Sequence, residues 1–237
     1  MSETPVILIT GAGKGIGRAT ALEFSKWMEC DLFLVARTES DLEAVKKECE
    51  KWKATVHTHV ADLTDENTSH DVIAECVSKF KRIDLLVNNA GVGRFGNFLE
   101  LTGADLDFTI NTNIRGLFHL TQSAYKVMKT QKYGHMIFVT SVAAETPFEQ
   151  SAIYCMSKFA QKGLIEVLRI NARKDGIRIT NIMPGAVETP MWGAVTPEMQ
   201  EKMMKPQDIG SAIIHAYLQP KRTSVEEIVL RPVGGDL

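Results

Sequence analysis

The stretch VILITGAGKGIG at residues 6–17 carries an apolar, β-branched run directly into a glycine-rich loop. The run Val6–Thr10 predicts a buried strand, and glycines follow at positions 11, 15 and 17. Glycine lets the backbone turn tightly and approach a pyrophosphate, whose charge the free amides at the start of the next helix would meet. A plain strand-to-helix turn is the alternative. The position after the first strand favours a dinucleotide-binding loop, and its predicted contact residues are Gly11, Lys14, Gly15, Ile16 and Gly17.

Short β-rich runs alternate with longer helical stretches along the rest of the chain. The predicted strands are Val6–Thr10, Asp31–Ala36, Ala54–Val60, Ile83–Asn88, His135–Thr140, Ile177–Ile182 and Val225–Leu230. This alternation is typical of a parallel sheet with helices on both faces. We predict a single α/β domain over residues 1–237, built as a Rossmann-type, doubly wound, parallel seven-stranded sheet.

Two long helical stretches are predicted at about 101–130 and 151–174. Both carry more apolar surface than packing on one sheet face requires. We therefore expect part of that surface to bury itself against another subunit, in a homodimer or homotetramer.

Composition and charge exclude several classes of partner. The 27 basic and 29 acidic residues leave a net charge of -2, and the basic ones are scattered, so no nucleic-acid partner is expected. No apolar run reaches the roughly 18 residues of a membrane helix, and residues 1–5 lack the basic start of a secretory signal. The four cysteines form no Cys-x-x-Cys pair, which predicts reduced thiols, no metal site and a cytoplasmic location.

Cofactor choice is predicted from the end of the second strand, where an acid would bind a ribose 2′-hydroxyl and a base would accept a 2′-phosphate. Ala36-Arg37-Thr38 stands there, without an acid. Arg37 can form a forked contact with a phosphate, and Lys14 can add a second positive charge. This pattern favours NADP(H) over NAD(H); two solvated surface bases are the alternative.

Tyr154 and Lys158 are four residues apart and share one face of a predicted helix. A free phenol, with a pKa of ~10, is a poor acid at neutral pH, and a neighbouring ammonium is expected to move that pKa toward the working range. Ser141 ends the preceding strand, where its hydroxyl can hold a carbonyl beside the phenol. Ordinary helix surface and a strand-end cap are the alternatives.

Further motifs complete the pattern: Asp62-Leu63, Asn88-Asn89-Ala90-Gly91, Asn113, and Pro184-Gly185 followed by Val187 and Thr189. With the glycine loop and the spacing of Ser141, Tyr154 and Lys158, they resemble the short-chain dehydrogenase/reductase family over essentially the whole chain. The resemblance implies cofactor contacts from Asp62, Leu63, Asn89, Ala90, Gly91, Tyr154, Lys158, Pro184, Gly185, Val187 and Thr189.

The resemblance also implies catalytic roles for four residues. Tyr154 gives the proton and Ser141 positions the carbonyl. Lys158 holds the nicotinamide ribose and tunes the tyrosine, while Asn113 supports a water in the proton relay. These roles imply a reductase that moves a hydride from the nicotinamide to a small-molecule ketone.

Substrate contacts are predicted in the segment from Met191 to Pro206, which we interpret as a lid. Thr196 is predicted to cap a short helix that starts at Pro197. Trp192 offers a flat aromatic face to a planar substrate, and packing is the alternative. Met199 and Met203 form a short apolar face that suits either a pocket or the core.

Within the family the chain most resembles bacterial sepiapterin-reductase-like members, through Gly91–Gly96, Tyr154–Phe159, Pro190–Gly193 and the tail from Val225 to Leu237. Asp236 in that tail can pair with the amino-pyrimidine edge of a pterin, unless it is simply an exposed terminal carboxylate. The predicted substrate is sepiapterin or a related pteridine or dicarbonyl. A 3-oxoacyl-[acyl-carrier-protein] reductase, with Arg94, Lys202 and Lys205 as possible docking bases, is the first alternative, and a non-catalytic dinucleotide sensor or scaffold is a distant one.

Overall fold

The computed structural model describes residues 4–235, and within them the strands form one seven-stranded sheet. The strands are β1 (Val6–Thr10), β2 (Cys30–Ala36), β3 (Ala54–Val60), β4 (Leu85–Asn88), β5 (Gly134–Val139), β6 (Ile177–Pro184) and β7 (Glu227–Leu230). Their order across the sheet is β3-β2-β1-β4-β5-β6-β7, and every neighbouring pair is parallel. The order reverses direction between β1 and β4, which is where ligands bind in open α/β sheets.

The described part of the chain contains eight α-helices, six of which cover the two faces of this sheet. They are α1 (Gly15–Trp27), α2 (Glu39–Cys49), α3 (Glu66–Phe80), α4 (Gly103–Ile110), α5 (Leu117–Gln131), α6 (Ala152–Asp175), α7 (Pro197–Lys202) and α8 (Pro206–Tyr217). The core on one face takes side chains from α1, α2 and α8, and the core on the other takes them from α3, α5 and α6. The predicted doubly wound architecture is confirmed. No helix between residues 4 and 235 has the length and apolarity needed to cross a membrane.

β1 shows why the central strands are continuous apolar runs. Ile7 and Ile9 belong to one core and Val6 and Leu8 to the other, and none of the four is more than 1% exposed. A parallel strand covered on both faces has no solvent side, so alternation of polar and apolar residues is absent. Each such buried side chain stabilises the fold by about 1.5–3 kcal/mol.

Strand ends differ from the sequence prediction where side chains compete for the backbone. β4 begins at Leu85 and not at Ile83, because the amide and carbonyl of Ile83 bond to the side chain of Gln131 at 2.9 Å each. β7 begins at Glu227 and not at Val225, whose carbonyl accepts a hydrogen bond from Thr180.

The helical stretch predicted at 101–130 is three pieces: α4, a π-helical segment at Asn111–Gly116, and α5. π-helical turns are rare and often mark functional sites. Gly116 closes the segment against the loop after β3, since a Cβ there would lie 2.2 Å from the carbonyl oxygen of Leu63. This segment carries Asn113 and brings it to the amino-terminal half of α6.

Candidate active site

The glycine loop after β1 has a conformation that other residues would not tolerate. Gly11 has φ of +63°, and a Cβ on Gly17 would lie 2.3 Å from the carbonyl oxygen of Gly11. Both positions therefore need glycine on steric grounds. The loop leads into α1, whose first turn contains no acidic residue. A glycine loop at a helix amino terminus without nearby acidic side chains can bind the phosphates of a dinucleotide.

Thr10 and Asn89 join this loop to the end of β4. The Thr10 hydroxyl accepts hydrogen bonds from the amides of Asn89 at 3.1 Å and Ala90 at 3.0 Å. The Asn89 side chain donates to the Thr10 and Gly11 carbonyls at 2.9 and 3.3 Å. These bonds give Thr10 a positioning role that the sequence analysis did not assign.

A cleft of about 650 Å³ opens at the carboxyl ends of the strands. The predicted cofactor residues that line it are Gly11, Lys14, Gly15, Ile16, Arg37, Asp62, Leu63, Asn89, Ala90, Gly91, Tyr154, Lys158, Pro184, Gly185, Val187 and Thr189. Ser141 and Trp192 also line it, whereas Gly17 and Asn113 lie buried behind its wall. Asp236 lies outside the described residues, so its contact with substrate stays a prediction.

The end of the cleft near β2 holds both predicted cations together with an acid that the sequence analysis missed. Lys14 forms an ion pair with Asp41 at 3.1 Å, and Asp41 also lines the cleft. Arg37 is exposed and, within residues 4–235, has no carboxylate in ion-pair distance. An exposed ion pair contributes little energy, so Lys14 can exchange Asp41 for a phosphate, but Arg37 is the cation already available.

Tyr154 and Lys158 lie together on α6, with the Lys158 ammonium 5.6 Å from the centroid of the tyrosine ring. Lys158 is 4% exposed and donates to the Val139 carbonyl at 3.3 Å and to Gln161 Oε1 at 3.2 Å. Burial lowers the pKa of Lys158 to about 7. Lys158 can therefore gain or lose its proton near neutral pH.

The expectation that the pKa of Tyr154 lies nearer neutral pH than that of a free phenol is wrong. Burial raises the pKa of Tyr154 to about 12, although a hydrogen bond with Ser141 acts in the opposite direction. Burial disfavours the charged form of both groups and is the largest cause of each shift. The phenol is therefore protonated at neutral pH, as a proton donor must be.

Ser141 stands where β5 ends, beside the phenol. Its hydroxyl accepts a hydrogen bond from the amide of Ala143 at 3.1 Å and donates to the carbonyl of Pro184 at 3.3 Å. The two bonds hold the oxygen at the junction of β5 and β6. A substrate carbonyl in the cleft would meet the Ser141 and Tyr154 hydroxyls from one side.

Asn113 works from behind the cleft wall. Its side chain exchanges hydrogen bonds with the backbone of Val92 at 2.8 and 2.9 Å and donates to Ser157 Oγ at 3.0 Å. It therefore ties the loop after β4 to α6. The backbone carbonyl of Asn113 accepts a hydrogen bond from Gln161 Nε2 at 2.7 Å. Sequence analysis overlooked Gln161, although its place three residues after Lys158 puts it on the same helix face.

Aromatic side chains form the mouth of the cleft. The centroid of the Phe95 ring lies 5.1 Å from that of Tyr154 and 6.4 Å from that of Trp192. The planes of the Phe95 and Trp192 rings are 8° from parallel. Trp192 is 40% exposed, so part of its side chain is accessible from the cleft mouth. Phe95 lies within the Gly91–Gly96 motif, but the sequence analysis did not predict that it belongs to the site.

The segment predicted to be a lid, Met191 to Pro206, borders the cleft only in part, and its closure stays a prediction. Thr196 caps α7 by accepting from the amide of Met199 at 3.3 Å, and Pro197 is its first residue. Met203 is 5% exposed and does not line the cleft, nor does Met199, whereas Met191 does. The portion around Met191 and Trp192, before α7, is the part that borders the site.

The four cysteines are buried, unpaired and outside the cleft. Potential metal ligands occur together in Glu66, His70 and His119, which lie on α3 and α5 and do not line the cleft. The cleft chemistry described above uses none of these groups.

A doubly wound sheet with a glycine loop, a tyrosine and a lysine in one cleft defines a Rossmann-type oxidoreductase. The short chain dehydrogenase family model matches residues 5–200, and the chain belongs to that family. This confirms the resemblance drawn from the motifs.

Individual relatives agree with that assignment. The chain is 51% identical over 238 residues to the sepiapterin reductase of Chlorobaculum tepidum, with 98% of each protein covered. Among solved structures it matches an alcohol dehydrogenase from Thermococcus sibiricus complexed with 5-hydroxy-NADP, at a TM-score of 0.90 and 27% identity over 98% of this chain and 97% of that one. It also matches a 3-ketoacyl-ACP reductase from Sinorhizobium meliloti, at a TM-score of 0.86 and 26% identity over 96% and 98% of the two chains.

Proposed function

We propose that this protein is an NADPH-dependent carbonyl reductase whose substrate is sepiapterin or a related pteridine or dicarbonyl. The observation that carries the proposal is the meeting of Ser141, Tyr154 and Lys158 in one cleft with the glycine loop. The full-length, 51% identical relative named sepiapterin reductase supports the substrate class.

The residues of the cleft fit a dinucleotide. Gly11 and Gly17 let the loop pack closely against itself and Asn89, and Gly15 and Ile16 at the amino terminus of α1 line the cleft. Arg37, with Lys14, would meet a 2′-phosphate, and the neighbour bound to 5-hydroxy-NADP supports that choice. Bound there, NADPH supplies a hydride to the carbonyl carbon of the substrate.

The side chains of this protein would supply the proton. Tyr154 donates its phenolic proton to the carbonyl oxygen, and the Ser141 hydroxyl, turned from the Pro184 carbonyl toward the substrate, donates a hydrogen bond to the same oxygen. The phenolate left behind then faces the Lys158 ammonium, whose acceptors within residues 4–235 are two neutral oxygens, at 3.2 and 3.3 Å. Two neutral partners leave the lysine charge free to stabilise the phenolate.

Phe95 and Trp192 would hold a flat bicyclic substrate beside these groups. Their nearly parallel exposed rings offer stacking surface at the mouth of the cleft. A planar pteridine uses such surface better than a flexible acyl chain does.

The alternative of a ketoacyl thioester reductase has the Sinorhizobium meliloti structure in its favour. Docking an acidic carrier protein requires a basic patch at the mouth. The three candidate bases are each next to a carboxylate: Arg94 lies 3.5 Å from Asp105, Lys202 lies 2.8 Å from Glu198, and Lys205 is paired with Glu188. This neutralised patch is a poor docking surface, so we place the alternative second.

The test is NADPH oxidation measured side by side with sepiapterin, diacetyl and an acetoacetyl thioester. We expect kcat/KM to be highest for sepiapterin. A preference for the thioester would favour the alternative, and no turnover of any carbonyl would refute the reductase function.

We also propose that the protein works as a homo-oligomer. Exposed apolar side chains recur along one side of α6 at helical spacing: Met156, Phe159, Val167 and Ile170 are 47%, 46%, 55% and 63% exposed. Phe118 on α5, 43% exposed, adds to this face. A second copy of the chain would bury such a face, in a homodimer or homotetramer.

The whole of residues 1–237 is proposed to act as one domain, since the sheet takes strands from both ends of the chain. A cytoplasmic location is proposed as well. Four buried, unpaired thiols fit the reducing conditions there.

A further inference from the structure

Gln161 connects two parts of the proposed active site through a single side chain. It is 2% exposed and lies one turn after Lys158 on α6. Its Oε1 accepts from the Lys158 ammonium at 3.2 Å, and its Nε2 donates to the Asn113 carbonyl at 2.7 Å. The amide therefore spans the gap between α6 and the π-helical segment.

The two partners determine which way the amide points. An ammonium only donates hydrogen bonds and a carbonyl only accepts them, so Oε1 must face Lys158 and Nε2 must face Asn113. Methionine has a similar shape, but it has no donor for the Asn113 carbonyl and only a weak acceptor for Lys158. Glutamate can accept from Lys158 but, when ionised, cannot donate to Asn113.

The neutrality of Gln161 also matters for the charge on Lys158. Besides Gln161, the groups that face Lys158 are the Val139 carbonyl at the end of β5, the Tyr154 ring on its own helix and Gly91 in the loop after β4. In the described range 4–235, no carboxylate comes within ion-pair distance of this ammonium. A carboxylate in place of the amide would supply that missing partner.

We propose that Gln161 is a positioning residue of this reductase, which anchors Lys158 against the Asn113 carbonyl and, being neutral, leaves the lysine charge for the phenolate of Tyr154. This inference rests on the proposed function, because it assigns Gln161 a part in the same proton transfer. It predicts that changing the amide changes the pH range over which the enzyme reduces its substrate.

The experiment compares Gln161→Glu and Gln161→Met with the unmutated protein in the pH profile of kcat for carbonyl reduction. The rate falls at high pH as Lys158 loses its proton. A carboxylate at 161 stabilises the ammonium, so this fall moves upward by at least about one pH unit. Methionine removes an acceptor, so the fall moves to lower pH and kcat at neutral pH drops by about tenfold.

Gln131→Glu is the matched control. Gln131 also uses both ends of its amide, with the backbone of Ile83, but lies away from the cleft. The Gln131→Glu variant should keep the pH profile of the unmutated protein, because a general loss of stability lowers the rate at every pH without moving the profile.

If kcat fell at the same high pH in both Gln161 variants as in the unmutated protein, the positioning role would be overturned. Tyr154→Phe separates this from failure of the proposed function. If that variant is inactive while the Gln161 profiles stay unmoved, only the inference about Gln161 fails; if it turns over normally, the proposed mechanism itself is wrong.

Discussion

Replacing Lys158 by Met is expected to remove a pH-dependent instability that the catalytic site imposes on the fold. Burial lowers the pKa of Lys158 from 10.5 to about 7, so between these values the unfolded chain binds more protons than the folded one. Stability of the unmutated protein therefore rises with pH across that window. Each pH unit contributes ~1.4 kcal/mol, so the whole interval amounts to several kcal/mol.

Urea unfolding of both proteins at about pH 6 and about pH 10 measures the effect. The stability of the Lys158→Met variant does not rise with pH in this way. The difference in unfolding free energy, variant minus unmutated protein, should therefore be several kcal/mol more favourable to the variant at the lower pH than at the higher pH. The hydrogen bonds to Val139 and Gln161 are lost at both pH values and cancel in this comparison.

Lys162→Met is the control for this measurement. The pKa of Lys162 is raised, mainly by its hydrogen bond to Glu145, so its substitution should give the same stability change at both pH values. If Lys158→Met behaved like this control, the buried charge on Lys158 would be refuted.

Three further outcomes follow from the site and the surface. Tyr154→Phe keeps the ring beside Phe95 but removes the proton, so kcat should fall at least about a hundredfold while the NADPH dissociation constant stays within a few-fold; near-normal turnover would show that Tyr154 is not the general acid. NADPH should bind at least about tenfold more tightly than NADH, and Arg37→Asp should erase or reverse that preference; equal dissociation constants in the unmutated protein would contradict the 2′-phosphate site. Sedimentation should give a mass above 26.3 kDa, and Ile170→Asp should shift it toward a single chain; a 26.3 kDa species alone in the unmutated protein at micromolar concentration would exclude the oligomer.

Much of the site was predictable because its signals are local. Tyr154 and Lys158 are brought together by a helix that needs only a spacing of four residues, and the glycines need only a strand before them and a helix after them. The order and spacing of Asn113 and Ser141 completed a family pattern, and the family itself is confirmed.

The sequence by itself thus determined the α/β class, the parallel sheet and the position of the glycine loop. Each depends on strand and helix patterns that a few neighbouring residues are enough to define. Only the tertiary structure decided what depends on residues far apart in the chain. Gln161 reaches the Asn113 carbonyl across 48 positions, and Gln131 delays the start of β4 by bonding Ile83 at the same separation. The pKa values of Tyr154 and Lys158 likewise follow from burial, which is a property of the packed molecule and of no single segment.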